Sequence, residues 1–278
     1  MKTFEASWKS ADGLSLYSCG WEPEQAPRAV ICLVHGLGEH IGRYGHVAAA
    51  LTDEGFALIG FDQRGHGRSG GPRGHTPSYG QSMDDVALLI QQASARYPGL
   101  PMFLYGHSMG GNEVLNFALR RKPQLKGVIA TGPLLRLAFQ PPAAQVTLAR
   151  VMNGIFPGFT QKSGLELAAL SRDQAVVEAY VRDPLVHDKI SARLFVELFD
   201  SGEWALNRAA EFTLPLLLMH GSADRLTSAN ASREFASNGG RNINLRIWDG
   251  WFHEIHNEAD QAEVFKVMVD WLNERLAA

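Results

Sequence analysis

The chain is short of several things at once, and each shortage excludes something. It has two cysteines in 278 residues, too few for a disulfide scaffold or a cysteine metal cluster. Cys32 falls in a strongly apolar run and Cys19 in an earlier stretch of strand character, so both are expected to be buried free thiols. No segment approaches the roughly 18 consecutive apolar residues needed to cross a bilayer. The opening residues MKTFEASWKS contain no apolar core of the signal-peptide kind. A cytoplasmic location is therefore expected, with membrane contact limited to the periphery. Charge of one sign is scarce too. The formal net charge is −3 with no long run of like charges, which excludes a basic stripe for nucleic acid. What is present is ordinary globular material, 45% apolar and 20% charged. A chain of this length can bury roughly three quarters of the surface its unfolded form exposes.

The apolar residues come in short runs separated by helical patterns. Phe4 to Lys9 and Leu14 to Trp21 read as two strands around an Asp12-Gly13 turn. Ala29 to Val34 is apolar at every position, and Phe56 to Phe61, Met102 to Tyr105, Val128 to Thr131, Leu216 to Met219 and Ile243 to Trp248 repeat the theme. Runs apolar on both faces suit central strands of a parallel sheet covered by helices. Helical patterns lie between them, at about Tyr44 to Glu54, Ser82 to Arg96, Met109 to Lys122, Ser228 to Ser237 and Ala259 to Leu276. The alternation predicts an α/β fold, a mostly parallel sheet flanked by helices. It is interrupted once, over 135–210, where helical pieces and prolines appear without a clear strand. The expected organisation is a core built from 1–134 and 211–278 with a helical cap at 135–210, over the strands' carboxyl ends where open α/β sheets bind ligands. Within the cap, Leu148, Val151, Met152, Ile155 and Phe156 follow the spacing of an apolar helix face. Val176, Val177, Tyr180, Leu194, Phe195 and Leu198 continue the apolar theme. Most of these are expected to pack the cap itself, and a minority to touch substrate.

Gly106-His107-Ser108-Met109-Gly110 carries the chemistry. It matches G-x-S-x-G between a predicted strand and a predicted helix, the context in which this motif forms a nucleophile elbow. Small residues two positions to either side let strand and helix approach closely, and the helix N-terminus aims backbone N–H groups at developing negative charge. A serine hydroxyl needs a base to take its proton. In this strand order the acid and then the histidine follow late strands. Asp224 follows Leu216 to Met219 in His220-Gly221-Ser222-Ala223-Asp224, and His253 follows Ile243 to Trp248. The roles follow from charge, with His253 as base and Asp224 as the acid that fixes the imidazole tautomer. Asp249 is the competing acid but reads as a turn residue. Asp62 follows an early strand, and its loop is expected to buttress the site. His107 is expected to point elsewhere, while His46, His75 and His187 read as surface or packing residues. Oxyanion donors are expected from the N–H of Met109 and of Leu37, in the loop after the third strand. No metal or cofactor is called for.

Taken together, His35-Gly36-Leu37-Gly38-Glu39-His40, Gly42-Arg43-Tyr44, Asp62 to Ser69, Gly106 to Gly111, His220 to Arg225 and His253 to Glu258 resemble the monoacylglycerol lipase family of serine hydrolases, in the α/β-hydrolase superfamily. Within the cap, Leu170 to Asp173 and Tyr180 to Leu185 extend the resemblance. It implies an eight-stranded α/β-hydrolase fold with a late cap, and hydrolysis of monoacylglycerols to fatty acid and glycerol without cofactor or metal. It places Glu39, Arg43, Tyr180 and His256 near the glycerol end of the pocket. It also implies an apolar acyl tunnel in the cap, and transient contact of the cap with a membrane or micelle surface. A lysophospholipase or short-chain carboxylesterase is the alternative, and a non-catalytic scaffold is disfavoured because all three triad residues occur in order. Serine at the elbow excludes an aspartate-nucleophile dehalogenase or epoxide hydrolase. A serine peptidase or carbon–carbon hydrolase on the same fold stays open.

Overall fold

Runs that are apolar at every position must be covered on both faces, and the fold does this by sandwiching one sheet between helices. In the computed structural model, which describes residues 1–277, β1 (Lys2–Lys9) and β2 (Ser15–Glu22) form an antiparallel hairpin at one edge. Next come β3 (Ala29–Val34), β4 (Phe56–Phe61), β5 (Met102–His107) and β6 (Gly127–Thr131). Two three-residue strands, β7 (Thr160–Lys162) and β8 (Lys189–Ser191), pair with each other outside the main sheet. The last two are β9 (Leu216–Gly221) and β10 (Ile243–Trp248). The main sheet has eight strands in the order β1-β2-β4-β3-β5-β6-β9-β10, parallel from β4 onward.

Strand periodicity sorts the side chains between two cores. Val30, Cys32 and Val34 face α2 (Tyr79–Arg96) and α3 (Met109–Arg121), against Val86, Leu89, Val114 and Leu115. Ala29, Ile31 and Leu33 face α1 (Gly45–Asp53) and the C-terminal helix, against Val47, Leu51, Met268 and Leu272. Helix α2 begins three residues before its apolar pattern because Ser78 caps it, its hydroxyl accepting from the Gln81 N–H at 3.1 Å. Strand β10 departs from the expected all-buried pattern. It is an edge strand, and its burial alternates, with Asn244 and Arg246 turned outward.

The stretch between β6 and β9 holds α4 (Ala143–Ile155), α5 (Gln174–Arg182) and α6 (Ala192–Leu206) beside the small β7–β8 ribbon, which the sequence did not announce. Its parts attach unequally. Leu194, Leu198, Ala205 and Leu206 of α6 join the main core, and Ala169, Leu170 and Tyr180 pack on Leu226 from the β9 side. Helix α4 has no buried residue. The expectation that Leu148, Val151, Ile155 and Phe156 pack the cap is therefore overturned: they are 59%, 50%, 77% and 59% exposed. The periodicity was real, but the stripe it marks turns outward. The inner side of α4 presents Gln145 and Ala149. After α7 (Ala229–Asn238) the chain ends in α8 (Gln261–Ala277).

Candidate active site

Ser108 sits alone between the last residue of β5 and the first of α3, at φ 54° and ψ −114°. A non-glycine residue in such a region costs on the order of 1–3 kcal/mol, so the surroundings must enforce it. They do so through the backbone. The Ser108 N–H donates to the Thr131 carbonyl at 2.9 Å, and the Ser108 carbonyl accepts from the N–H groups of Asn112 and Leu134, each at 3.0 Å. The glycines of the motif are required by contact. A Cβ at Gly106 would stand 2.2 Å from the Gly110 carbonyl oxygen, and one at Gly110 would stand 2.0 Å from that of Val34. Met109 opens α3, so its N–H has no carbonyl four residues back in the helix to bond. Leu37 lies across the cavity in the loop after β3.

Asp224 and His253 come together from the loops after β9 and β10. His253 Nδ1 is 2.7 Å from Asp224 Oδ2, and both residues are buried. Asp224 Oδ1 accepts the N–H groups of Leu226 and Thr227 at 2.7 and 3.0 Å. Its Oδ2 also accepts the Thr227 hydroxyl at 2.8 Å and faces His220 Nε2 at 3.0 Å. Burial alone would raise the Asp224 pKa. The His253 charge and the two histidine hydrogen bonds outweigh it and hold the carboxyl well below its usual range. Burial likewise works to lower the His253 pKa, but the Asp224 charge and hydrogen bond prevail and the net shift is upward. Asp249 is elsewhere, accepting from the Ser222 hydroxyl at 3.0 Å. His220 and Thr227 escaped the sequence reading, although their spacing of −4 and +3 from Asp224 brackets the acid.

The loop that carries Leu37 is held from below. Gln63 N–H donates to His35 Nε2 at 2.9 Å, which leaves His35 Nδ1–H to donate to the Gly36 carbonyl at 2.8 Å. The Gln63 side chain donates to the His35 carbonyl at 2.7 Å. Asp62 accepts the N–H groups of Ile41 and Arg68, so this segment does buttress the loop.

Ser108 and His253 line a cavity of about 400 Å³. Its walls are apolar on the cap side, with Leu134, Leu137, Ile190, Phe195, Leu198 and Phe199, and polar around Glu39, His107, Tyr180 and Glu254. His107 does not point away as expected. It lines the cavity with its ring centroid 4.8 Å from that of His253. Of the four residues that the resemblance put at the glycerol end, Glu39 and Tyr180 line the cavity, whereas Arg43 and His256 are not among the lining residues. Arg43 lies behind, bonded to Glu39 and Glu254 with its guanidinium carbon 4.7 Å from the Tyr180 ring centre. His256 is buried and stacked on Tyr44 at 5.1 Å, and burial pushes its pKa down to about 3.

Residues 25–260 match the family described as serine aminopeptidase, S33. A monoacylglycerol lipase of Mycolicibacterium smegmatis is 34% identical over 270 residues, covering 96% of each chain. The chain belongs to the monoacylglycerol lipase family. An uncharacterized abhydrolase domain-containing protein of Dictyostelium discoideum is 36% identical over 92% of this chain, which spans only 27% of that protein. Among solved structures, the monoacylglycerol lipase of Paleococcus ferrophilus superposes with a TM-score of 0.86 at 34% identity, covering 99% of this chain and 100% of its own. The eight-stranded sheet with its flanking helices is thus an α/β-hydrolase fold, and the family's activity is that of serine ester hydrolases.

Proposed function

We propose that the chain hydrolyses monoacylglycerols, with Ser108 as nucleophile, His253 as base and Asp224 as its orienting acid. His253 takes the Ser108 proton as the hydroxyl attacks the ester carbonyl, and returns it to the leaving glycerol. The N–H groups of Leu37 and Met109 receive the oxyanion. Water then resolves the acyl-enzyme by the same steps in reverse order.

The observation that carries the substrate class is the charge balance of the cavity. Six charged side chains line it besides the histidines, namely Glu39, Arg136, Glu166, Glu203, Arg225 and Glu254. Each is already in an ion pair: Glu39 and Glu254 with Arg43, Glu166 with Arg225, and Glu203 with Arg136. A phosphate group would have to break such a pair to find a cationic partner, whereas an uncharged acyl chain and polyol need none. This favours a neutral ester over a lysophospholipid. Initial rates on 1-monoacylglycerols of several chain lengths, tributyrin, a long-chain triacylglycerol and lysophosphatidylcholine test the reading. Preference for the monoacylglycerols is expected. A faster rate on lysophosphatidylcholine replaces the substrate and keeps the triad.

The exposed stripe of α4 suits a lipid surface. Leu148, Val151 and Ile155 lie on one side of this helix, with Phe156 and Phe159 just beyond it, all exposed. No helix among the described residues is long and apolar enough to cross a membrane, so the contact proposed is peripheral. Leu148 and Ile155 are 59% and 77% exposed, and burying about half of that exposed surface in lipid is worth on the order of 1–2 kcal/mol. Leu148→Ser with Ile155→Ser is therefore expected to lower the rate on monoacylglycerol in vesicles by about tenfold. The rate on a water-soluble butyrate ester should stay within about twofold. Equal losses on both substrates would assign the stripe to folding instead.

The pH profile follows from the upward shift of His253. The base works when neutral, so kcat/KM should rise with pH through a midpoint above the ordinary histidine value. A midpoint below that value would mean that burial, rather than Asp224, dominates the imidazole.

A further inference from the structure

Glu254, the residue after the proposed base, ties the two halves of the site together. Its carboxylate takes both Nη groups of Arg43, at 2.8 and 2.7 Å. The same guanidinium donates to Glu39 Oε2 at 2.6 Å. The other oxygen of Glu39 accepts the backbone N–H of Gly36 at 2.6 Å and the Tyr44 hydroxyl at 2.7 Å. An unbroken chain of charged hydrogen bonds therefore runs from the residue beside His253 to the His35–Gly36 peptide, one peptide before the Leu37 N–H. Its carboxylates are buried, Glu39 and Glu254 each 2% exposed, and the Arg43 side chain between them is 11% exposed. Glu254 is fixed in turn, since Oε2 accepts the Asn257 side chain at 2.7 Å and its N–H donates to the Leu170 carbonyl at 2.7 Å.

We infer that Glu254 is a positioning residue, which through Arg43 and Glu39 fixes the His35–Gly36 peptide and so sets the next N–H, that of Leu37, against Ser108 and His253. This rests on the serine-hydrolase reading above. Two features favour it over a simple structural anchor. Taking three ionised groups out of water is costly, and replacing such a cluster with packed apolar residues is often neutral or stabilising. The cluster also joins two loops that meet nowhere along the chain, and it does so at the cavity wall, where an error of 1 Å in the donor's place costs rate. A bidentate guanidinium between two carboxylates is rigid in a way that a lysine is not.

The trio carries a net charge of −1, so it also acts on His253. The titratable groups around that imidazole are Asp224, His107, His256, Glu39 and Glu254. Asp224 contributes most, and the Glu254 and Glu39 carboxylates act in the same upward direction. Removing one of them lowers the base's pKa.

Glu254→Gln keeps the shape and removes the charge. On a soluble butyrate ester, kcat should fall by about 10- to 100-fold while KM changes by less than about twofold. The acid limb of kcat/KM should move to lower pH. Affinity for an alkyl trifluoromethyl ketone should fall in parallel with kcat. In that adduct the Ser108 oxygen bonds to the ketone carbon and its proton passes to His253, leaving an oxyanion at the donors. Arg43→Lys, which keeps the charge but cannot bridge both carboxylates, should show the same loss of kcat and ketone affinity with an unmoved acid limb. It also serves as the test if the Gln variant melts below assay temperature. A kcat and ketone affinity within about twofold of the parent in either folded variant overturns the inference. So does a loss confined to melting temperature or KM. Ser108→Ala run beside them separates the two readings, because activity retained there removes the nucleophile assignment itself.

Discussion

Ser108→Ala is expected to lower ester turnover by about a million-fold, the size of effect seen when a triad nucleophile is removed elsewhere, with the melting temperature held within a few degrees. Both halves of this expectation come from the geometry. The substitution removes one oxygen and leaves the Cβ, so the strained backbone at φ 54° is enforced as before by the bonds to Thr131, Asn112 and Leu134. None of these uses the side chain. What disappears is the atom that forms the acyl-enzyme. The residual rate should come from binding and from the oxyanion donors acting on water. Kinetics on a monoacylglycerol, with mass spectrometry for acyl transfer to the protein, decide it. A variant that still acylates would move the nucleophile to another residue.

Asp224→Asn is expected to cost about ten-thousand-fold in kcat, and here the structure dictates which way the new amide turns. Oδ1 accepts two backbone N–H groups, from Leu226 and Thr227. The amide oxygen must take that place, because an NH₂ there would face two donors. The NH₂ then falls at the Oδ2 position, pointing at His253 Nδ1. It presents a proton where the imidazole needs an acceptor. His253 is driven to carry its own proton on Nε2, the nitrogen that must accept from Ser108, and the base is lost. The Thr227 hydroxyl can turn to accept from the new amide, which limits the damage to the fold. Proton NMR of the imidazole in the variant checks the tautomer directly, and a kcat reduced less than about tenfold would remove Asp224 as the orienting acid. The variant should also flatten acid unfolding. The depressed pKa of Asp224 means that its stabilisation is present above the unfolded carboxylate value and is lost as pH falls through the folded one. An asparagine has nothing to titrate in that window.

Much of this was legible in the sequence because it depends on local rules. A strand covered on both faces has to be apolar throughout, so β3, β4, β6 and β9 could be read from composition alone, and all four were bounded to within two residues. The elbow announced itself because only glycine fits where a Cβ would come within 2.0–2.2 Å of a carbonyl. Chain order then pointed to loops for the acid and the base. The outward stripe of α4 shows the limit of periodicity: the spacing of Leu148, Val151 and Ile155 marks an apolar face, and nothing in the spacing says whether protein, lipid or water covers it.

By itself, then, the sequence determined the sheet, the elbow and the residue types of the triad, since each is specified by neighbours within a few positions along the chain. Only the tertiary structure decided which residues meet. Arg43 and Glu254 are 211 positions apart, and His40 and Asp183 143 apart. No local pattern encodes such a pair, because the partner's position is set by how sheet and insertion close on each other. The same is true of the second histidine on Asp224, of His107 turning into the cavity, and of Arg43 standing behind its wall rather than in it. The reason is physical. A charged side chain buried within the protein is stable only where a counter-charge arrives from another element, and that arrival is a property of the folded chain.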